Sequence, residues 1–272
     1  DLVFLLGMTV ALLGFTQKKL ALTATGVAVA VIGRQTGILL LPGLTFGILY
    51  GAYKNKKNLK QAFSHALVLT LVALAVTMFQ KWVVRDIAQP FAASFWVYFI
   101  GSIVDLQVSQ AEKVRMVFEH LLRTIVPLLF LLSIVLALAV QMGRKKVKAF
   151  FKEADILAAL LIAGAIVLQP VLVTPVFTRQ NETRLSALAL VPLLYVAARL
   201  WEAVQLKISK NSFYFLFGVF ILGSFHHLYT WVGPSSAALF VAVRLLLAVV
   251  LSLFVINSVR RRACTKKLEL VF

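Results

Sequence analysis

Residues 54–79 read KNKKNLKQAFSHALVLTLVALAVTMF, and this stretch decides the class of fold. A lysine-rich patch, Lys54–Lys60, precedes the apolar run Ala62–Phe79, which contains no Asp, Glu, Lys or Arg. Similar apolar runs recur along the chain between short charged patches, a pattern typical of membrane-spanning helices. Of the 272 residues, 61% are hydrophobic and 14% are charged, which leaves too little polar surface for a water-soluble domain of this size. The sequence therefore predicts an all-α, polytopic transmembrane bundle.

The apolar runs predict about nine spans in a single transmembrane domain covering residues 1–272. In chain order they are Leu2–Phe15, Leu20–Gly33, Gly37–Tyr53, Ala62–Phe79, Thr124–Met142, Ala154–Phe177, Leu185–Leu200, Ser212–Val232 and Ser235–Ser258. The first two are shorter than the roughly 20 residues that a perpendicular helix needs, so we expect bilayer thinning or shielding by other helices. Residues 80–123 mix apolar, aromatic and amphipathic stretches, which we interpret as an interfacial or re-entrant segment.

The distribution of Lys and Arg predicts the orientation, because cytoplasmic loops collect these residues. The strongly basic tail, residues 260–267, places the C-terminus in the cytoplasm. Counting back places the Lys18-Lys19 pair, the Lys54–Lys60 patch and residues 143–153 on that side too. The formal net charge of +18 is thus a topology signal, and we expect no nucleic-acid partner, because the basic residues lie between apolar runs.

The triplet Arg34-Gln35-Thr36 is the first candidate binding site, because it interrupts two apolar runs on the predicted non-cytoplasmic side. A charge inside a membrane costs about 2.5–3.5 kcal/mol on insertion scales, so it usually faces protein or a water-filled cavity. An arginine fork matches the oxygens of a phosphate. The alternative is a loop arginine that reaches to lipid headgroups without any further role.

The second candidate is the polar loop Thr178–Arg184 on the same predicted side. Arg179 and Arg184 flank Asn181 and Glu182, a set that suits a phosphate and a sugar hydroxyl together. The alternative is a solvated turn in which arginine and glutamate pair with each other. No metal site is predicted, because adjacent histidines such as His226-His227 point about 100° apart on a helix and Cys264 is alone.

Two passages resemble the GT-C superfamily of membrane glycosyltransferases, which use polyprenyl-phosphate sugars on the non-cytoplasmic face. One is Leu20–Pro42, LALTATGVAVAVIGRQTGILLLP, and the other is Arg179–Pro192, RQNETRLSALALVP. The resemblance implies that an outer carboxylate acts as general base on an acceptor hydroxyl. It also implies that Arg34, Arg179 and Arg184 offset the charge of the leaving polyprenyl phosphate. Some members use a divalent metal, although no ligand cluster here requires one.

The chain begins at Asp1, after the point where the large first outer loop of this family ends. That loop normally carries the family's catalytic acid. We therefore expect the chain to be the C-terminal part of a longer protein or half of a split enzyme, with Asp1 as a second acid. Whether it is an enzyme stays open at this point. The alternatives are a transporter or lipid flippase, which would favour internal repeats that the sequence lacks, and a non-catalytic membrane assembly subunit.

Overall fold

The computed structural model describes residues 2–84, 128–142, 144–172 and 188–204, together with positions 246, 249, 250, 253 and 257. Every element of secondary structure in these ranges is helical, which confirms the all-α class. The chain divides into two compact units, Asp1–Thr124 with Phe151–Pro192 and Ile125–Phe150 with Leu193–Phe272. A single transmembrane domain over residues 1–272 stays a prediction.

Four helices and a short 3₁₀ segment open the first unit. They are α1 (Leu2–Thr16), α2 (Leu20–Gly33), the 3₁₀ segment (Gln35–Leu39), α3 (Leu40–Lys54) and α4 (Leu59–Val84). The next helices along the chain are α5 (Leu129–Met142) and α6 (Arg144–Phe150) of the second unit, then α7 (Ala154–Leu172) of the first. Helix α8 (Leu190–Val204) begins in the last residues of the first unit and continues into the second.

Two stretches, Thr36–Lys54 and Leu59–Val83, are long and apolar enough to cross a bilayer. Helices α1 and α2 and the apolar part of α7, Ala154–Leu168, are shorter. The number of nine spans therefore stays a prediction. The predicted runs at Ser212–Val232 and, apart from single helical positions, at Ser235–Ser258 lie outside the described residues, as do parts of the runs at 124–127, 173–177 and 185–187.

The boundaries of the early helices follow the charge pattern closely. Helix α2 has the predicted bounds, and α1 extends one residue beyond the predicted end at Phe15. The run predicted at Gly37–Tyr53 instead begins as a 3₁₀ segment and becomes an α-helix at Leu40. Pro42 contributes to this difference, because it has no N–H to donate to the carbonyl four residues earlier.

Helix α4 extends past the predicted run Ala62–Phe79 into the first residues of the segment predicted at about 80–123 to be interfacial or re-entrant. Helix α4 continues to Val84, so residues 80–84 are helical and belong to the same element as the apolar run before them. No glycine or proline interrupts this stretch, and Gln80 bonds to α2 from within the helix. Residues 85–123, the rest of that predicted segment, lie outside the described residues.

Helices α1 and α2 form a tight antiparallel hairpin whose backbones touch. A Cβ atom added at Gly7 would lie 2.2 Å from the backbone nitrogen of Ala30, and one at Gly26 would lie 2.2 Å from that of Ala11. Both alanines are fully buried. Small residues of this kind allow apolar helices to approach closely enough for dispersion contacts to hold them together.

Helices α3 and α7 pack antiparallel in the same manner. A Cβ atom added at Gly43 would lie 2.5 Å from the carbonyl oxygen of Ala158. Further along α3, Gly51 faces Ala154, which is the first residue of α7. Helix α4 contacts both α2 and α3. The α1–α2 and α3–α7 pairs are therefore antiparallel, whereas α2 and α4 run parallel, and the helices of this unit begin and end at two common ends.

The two ends of this bundle differ in charge. The end that we call the basic end carries exposed lysines, namely Lys18, Lys19, Lys54, Lys56, Lys57, Lys60 and Lys152. The other end, called the Arg34 end, carries Arg34, Thr36, Gln80 and Lys81. The Lys54 Nζ atom donates a hydrogen bond of 2.8 Å to the Lys152 carbonyl, which joins the α3–α4 turn to the start of α7 at the basic end.

We expect Gly7→Ala to lower the free energy of unfolding by about 1–3 kcal/mol, because the new methyl group would force the α1 and α2 backbones apart. Thermal unfolding of the full chain in detergent measures the change. Gly164→Ala is the matched control, since a Cβ atom there meets nothing within 4 Å and alanine favours the helix by up to about 1 kcal/mol. Equal effects of the two substitutions would contradict the close hairpin.

Candidate functional site

Arg34 forms the corner between α2 and the 3₁₀ segment. Its backbone is extended, with φ −166° and ψ 135°, so the α-helix stops there. The Arg34 N–H donates to the Ala30 carbonyl at 3.0 Å, and the Arg34 carbonyl accepts from the Gly37 N–H at 2.8 Å. The side chain is half-buried. The charged residue predicted from the sequence thus lies where two apolar helices meet.

Glycine at position 37 allows the corner to close tightly. A Cβ atom there would lie 2.5 Å from the backbone of both Ala30 and Val31, closer than real Cβ contacts permit. The chain after Arg34 therefore folds back against the last turn of α2. This contact holds Thr36, the residue before Gly37, next to the same turn.

Thr36 carries a buried hydroxyl group that makes no hydrogen bond within the described part of the chain. A buried polar atom without a partner costs about 1–3 kcal/mol. Such atoms are few in native proteins, and a functional role is one of the explanations for them. Gln35 belongs to the 3₁₀ segment through its backbone.

Gln80 of α4 joins this corner, and the sequence did not predict it. Its Nε2 atom donates to the carbonyls of Val31 and Ile32 at 2.8 and 3.0 Å. These carbonyls belong to the last turn of α2. The helix has no later N–H group to donate a hydrogen bond to them. The Gln80 Oε1 atom is buried and makes no hydrogen bond in the described ranges. The sequence feature that could have indicated Gln80 is its position between the apolar run Ala62–Phe79 and the charged Lys81.

The Arg34 end therefore combines three kinds of polar group beside apolar helices. Arg34 supplies a fixed positive charge, the Thr36 hydroxyl donates or accepts, and the Gln80 carbonyl oxygen only accepts. Glu153 and Asp155, the acids of the first unit within the described residues, lie at the start of α7 and hence at the basic end. A guanidinium, a hydroxyl and an amide group at one corner are groups that can bind a phosphate and a hydroxyl group.

The remaining predicted site residues lie outside the described residues. They are Asp1, Arg179, Asn181, Glu182 and Arg184. Their convergence with Arg34 stays a prediction. No group of three or more His, Cys, Asp or Glu residues that would suit a metal ion occurs among the residues that the structure describes.

Comparisons of the chain with protein-family models, with curated protein sequences and with solved structures gave no match. The resemblance to GT-C glycosyltransferases therefore rests on features of the sequence alone. Of the first passage, the structure describes the helix, the corner at Arg34 and the apolar run that follows.

We expect Gln80→Leu to lower the free energy of unfolding by about 1–2 kcal/mol, because two helix-end carbonyls of α2 lose their only described donor. The control is Thr77→Val in the same helix, where the hydroxyl bonds only to the Ala73 carbonyl one turn away. Denaturation of both variants in the same detergent compares them. An equally small effect of both would mean that Gln80 does not join α4 to α2.

Proposed function

We propose that the chain is a multi-pass membrane protein of about nine spans and that the first unit lies in the bilayer with its basic end towards the cytoplasm. The exposed face of α4 carries this proposal. Only 22% of the most apolar 18 residues of α4 are buried, whereas a core helix of a soluble protein is mostly buried. After Lys60, the exposed large apolar side chains of α4 run from Phe63 to Val83. At 1.5 Å per residue this face is about 30 Å long, the thickness of a hydrocarbon core.

Aromatic side chains at the two ends of the bundle support the same placement. Tyr53 at the basic end is 73% exposed. At the Arg34 end, the exposed rings of Phe79 and Trp82 lie 6.2 Å apart. Tyrosine and tryptophan are enriched where a membrane meets water on either side.

The orientation is inferred from the lysines. Lys18-Lys19 and Lys54–Lys60 are distant in sequence, yet the antiparallel packing brings them to one end. Such accumulation on one side is typical of the cytoplasmic end of a membrane protein. Arg34 and Thr36 then face the opposite, non-cytoplasmic compartment.

We further propose that the Arg34 end binds the phosphate of a polyprenyl-phosphate sugar and that the chain, or the longer protein containing it, transfers the sugar. The unpartnered hydroxyl of Thr36 beside the half-buried Arg34 is the observation that supports this most. In this proposal the lipid phosphate accepts hydrogen bonds from Thr36 and Arg34 while its tail lies along exposed apolar helices. In this proposal Gln35 lies in the same site, and the later loop contributes Arg179, Asn181, Glu182 and Arg184.

The proposed reaction needs a base and a leaving group. An outer carboxylate, with Asp1 as the candidate in this chain, takes the proton of the acceptor hydroxyl. The acceptor oxygen then bonds to the anomeric carbon of the sugar, and the bond from that carbon to the phosphate oxygen breaks. The arginines stabilise the negative charge that develops on the departing polyprenyl phosphate.

We expect Arg34→Ala to weaken binding of undecaprenyl phosphate by about 10- to 100-fold, because a hydrogen bond to a charged group contributes about 1.5–3 kcal/mol. Binding is measured with the purified full chain in micelles. Lys81→Ala is the matched control, since this exposed cation lies at the same end of the unit. Undecaprenol, which lacks the phosphate, should bind to the wild-type chain no better than undecaprenyl phosphate binds to the Arg34 variant.

Equal binding of undecaprenol and undecaprenyl phosphate would contradict a phosphate site, as would equal effects of the Arg34 and Lys81 substitutions. If a polyprenyl-phosphate sugar is bound and moved between leaflets while its sugar–phosphate bond stays intact, the chain is a flippase. That result would overturn sugar transfer and leave the phosphate site in place.

A further inference from the structure

The end of α1 has an unusual residue in a common helix-ending motif. Lys18 has φ 57°, the left-handed conformation that glycine normally supplies at this position. The Lys18 N–H donates to the Phe15 carbonyl at 3.1 Å, and the Lys19 N–H donates to the Gly14 carbonyl at 2.9 Å. These two bonds define a Schellman motif.

Helix α3 ends in the same motif with the same residue types. Lys56 has φ 51°, its N–H donates to the Tyr53 carbonyl at 3.2 Å, and the Lys57 N–H donates to the Ala52 carbonyl at 2.9 Å. A lysine Cβ is sterically unfavourable in this conformation, and a backbone that is locally strained suggests a role for the side chain. Two separate turns therefore each hold a Lys-Lys pair at a position where glycine would fold more easily.

Further hydrogen bonds fix the second turn. The Asn55 Nδ2 atom donates to the Gly51 carbonyl at 2.8 Å. Asn58 caps the first turn of α4, where its Oδ1 atom accepts from the N–H groups of Lys60 and Gln61 at 3.0 and 3.4 Å. The lysines of this turn thus extend from a fixed backbone, so little backbone order is lost when they bind a ligand.

Both turns lie at the basic end, where lysines outnumber the acids. Glu153 and Asp155 of α7 also lie there, but the lysines of the two turns and Lys60 are exposed. Large apolar side chains that lie near them in the sequence are exposed as well, namely Leu13, Tyr53, Leu59 and Phe63. A positive surface that continues into an apolar surface matches a lipid, whose phosphate and acyl chains occupy the same two regions.

We propose that the turns at Lys18-Lys19 and Lys56-Lys57, called the lysine turns, bind the headgroup phosphate of anionic phospholipids. The proposal rests on the membrane placement given above and does not depend on sugar transfer. Anionic lipids of the cytoplasmic leaflet would thereby hold the basic end at the membrane surface. A soluble anion would gain nothing from the exposed apolar side chains beside the lysines, and a lipid would use both.

The test compares binding of phosphatidylglycerol and phosphatidylcholine to the full chain in detergent micelles by native mass spectrometry. The wild-type chain should bind phosphatidylglycerol more tightly. Lys18→Gly with Lys56→Gly should weaken that binding by about fivefold per lysine, because each lysine near an anionic surface contributes a factor of this size. Glycine suits the left-handed positions, so the melting temperature should stay the same or rise. Lys81→Gln is the matched control and should leave phosphatidylglycerol binding unchanged.

A second variant, Lys18→Asn with Lys56→Asn, removes the same charges with a residue that tolerates the left-handed conformation, and it should reproduce the loss. Equal affinity for the two lipids, or full affinity in the double variants, would overturn the proposal. So would a fall in melting temperature that accompanies every loss of binding, because the lysines would then be structural.

Displacement of phosphatidylglycerol by millimolar inorganic phosphate would indicate a free-anion site instead of a lipid site. Extraction of the chain from vesicles by alkaline carbonate would refute the membrane placement itself.

Discussion

Contact between helix backbones is the interaction on which the rest of this bundle depends. Lipid is as apolar as the side chains of the bundle, so helices in a bilayer gain little from burying leucine and must gain from close packing. Gly7 and Gly26 provide that contact between α1 and α2, and Gly43 provides it between α3 and α7. Each of these contacts leaves no room for a Cβ atom. The α1–α2 hairpin in turn places the end of α2 at Gly33 beside Phe4 of α1, and Arg34 follows directly.

The same physics explains why the polar groups gather at the two ends. Between Lys60 and Lys81, α4 has no Asp, Glu, Lys or Arg, and its threonines bond to their own helix. Backbone groups that a helix leaves unpaired must be satisfied at its ends, and Gln80 does this for α2. At the other end, the lysine turns and Asn58 satisfy the ends of α1, α3 and α4. The residues that complete the helices are thus also the residues available for ligands.

Much of this arrangement is predictable from the sequence, because charges mark helix ends in an apolar chain. Lys19 and Arg34 bracket α2, and the predicted bounds match the structure. The apolar pattern does not reveal which face of a helix meets its neighbour, since α1 and α2 are apolar all round; the pairing of Gly7 with Ala30 was therefore not predictable. The role of Gln80 was missed because its partner, Val31, is 49 residues away. Lys18 and Lys56 look like ordinary loop charges until their backbone angles are known.

Cysteine accessibility along α4 tests the central claim most directly, that this bundle stands across a membrane with its basic end in the cytoplasm. Single cysteines replace Lys60, Leu71 and Lys81 in a chain whose native Cys264 is serine, and intact cells are treated with a membrane-impermeant maleimide. Leu71 is 55% exposed, so a soluble bundle would label there. The account predicts labelling at position 81 in intact cells, at position 60 only after permeabilisation, and at position 71 in neither case. Labelling at position 71, or the same behaviour at positions 60 and 81, would contradict it.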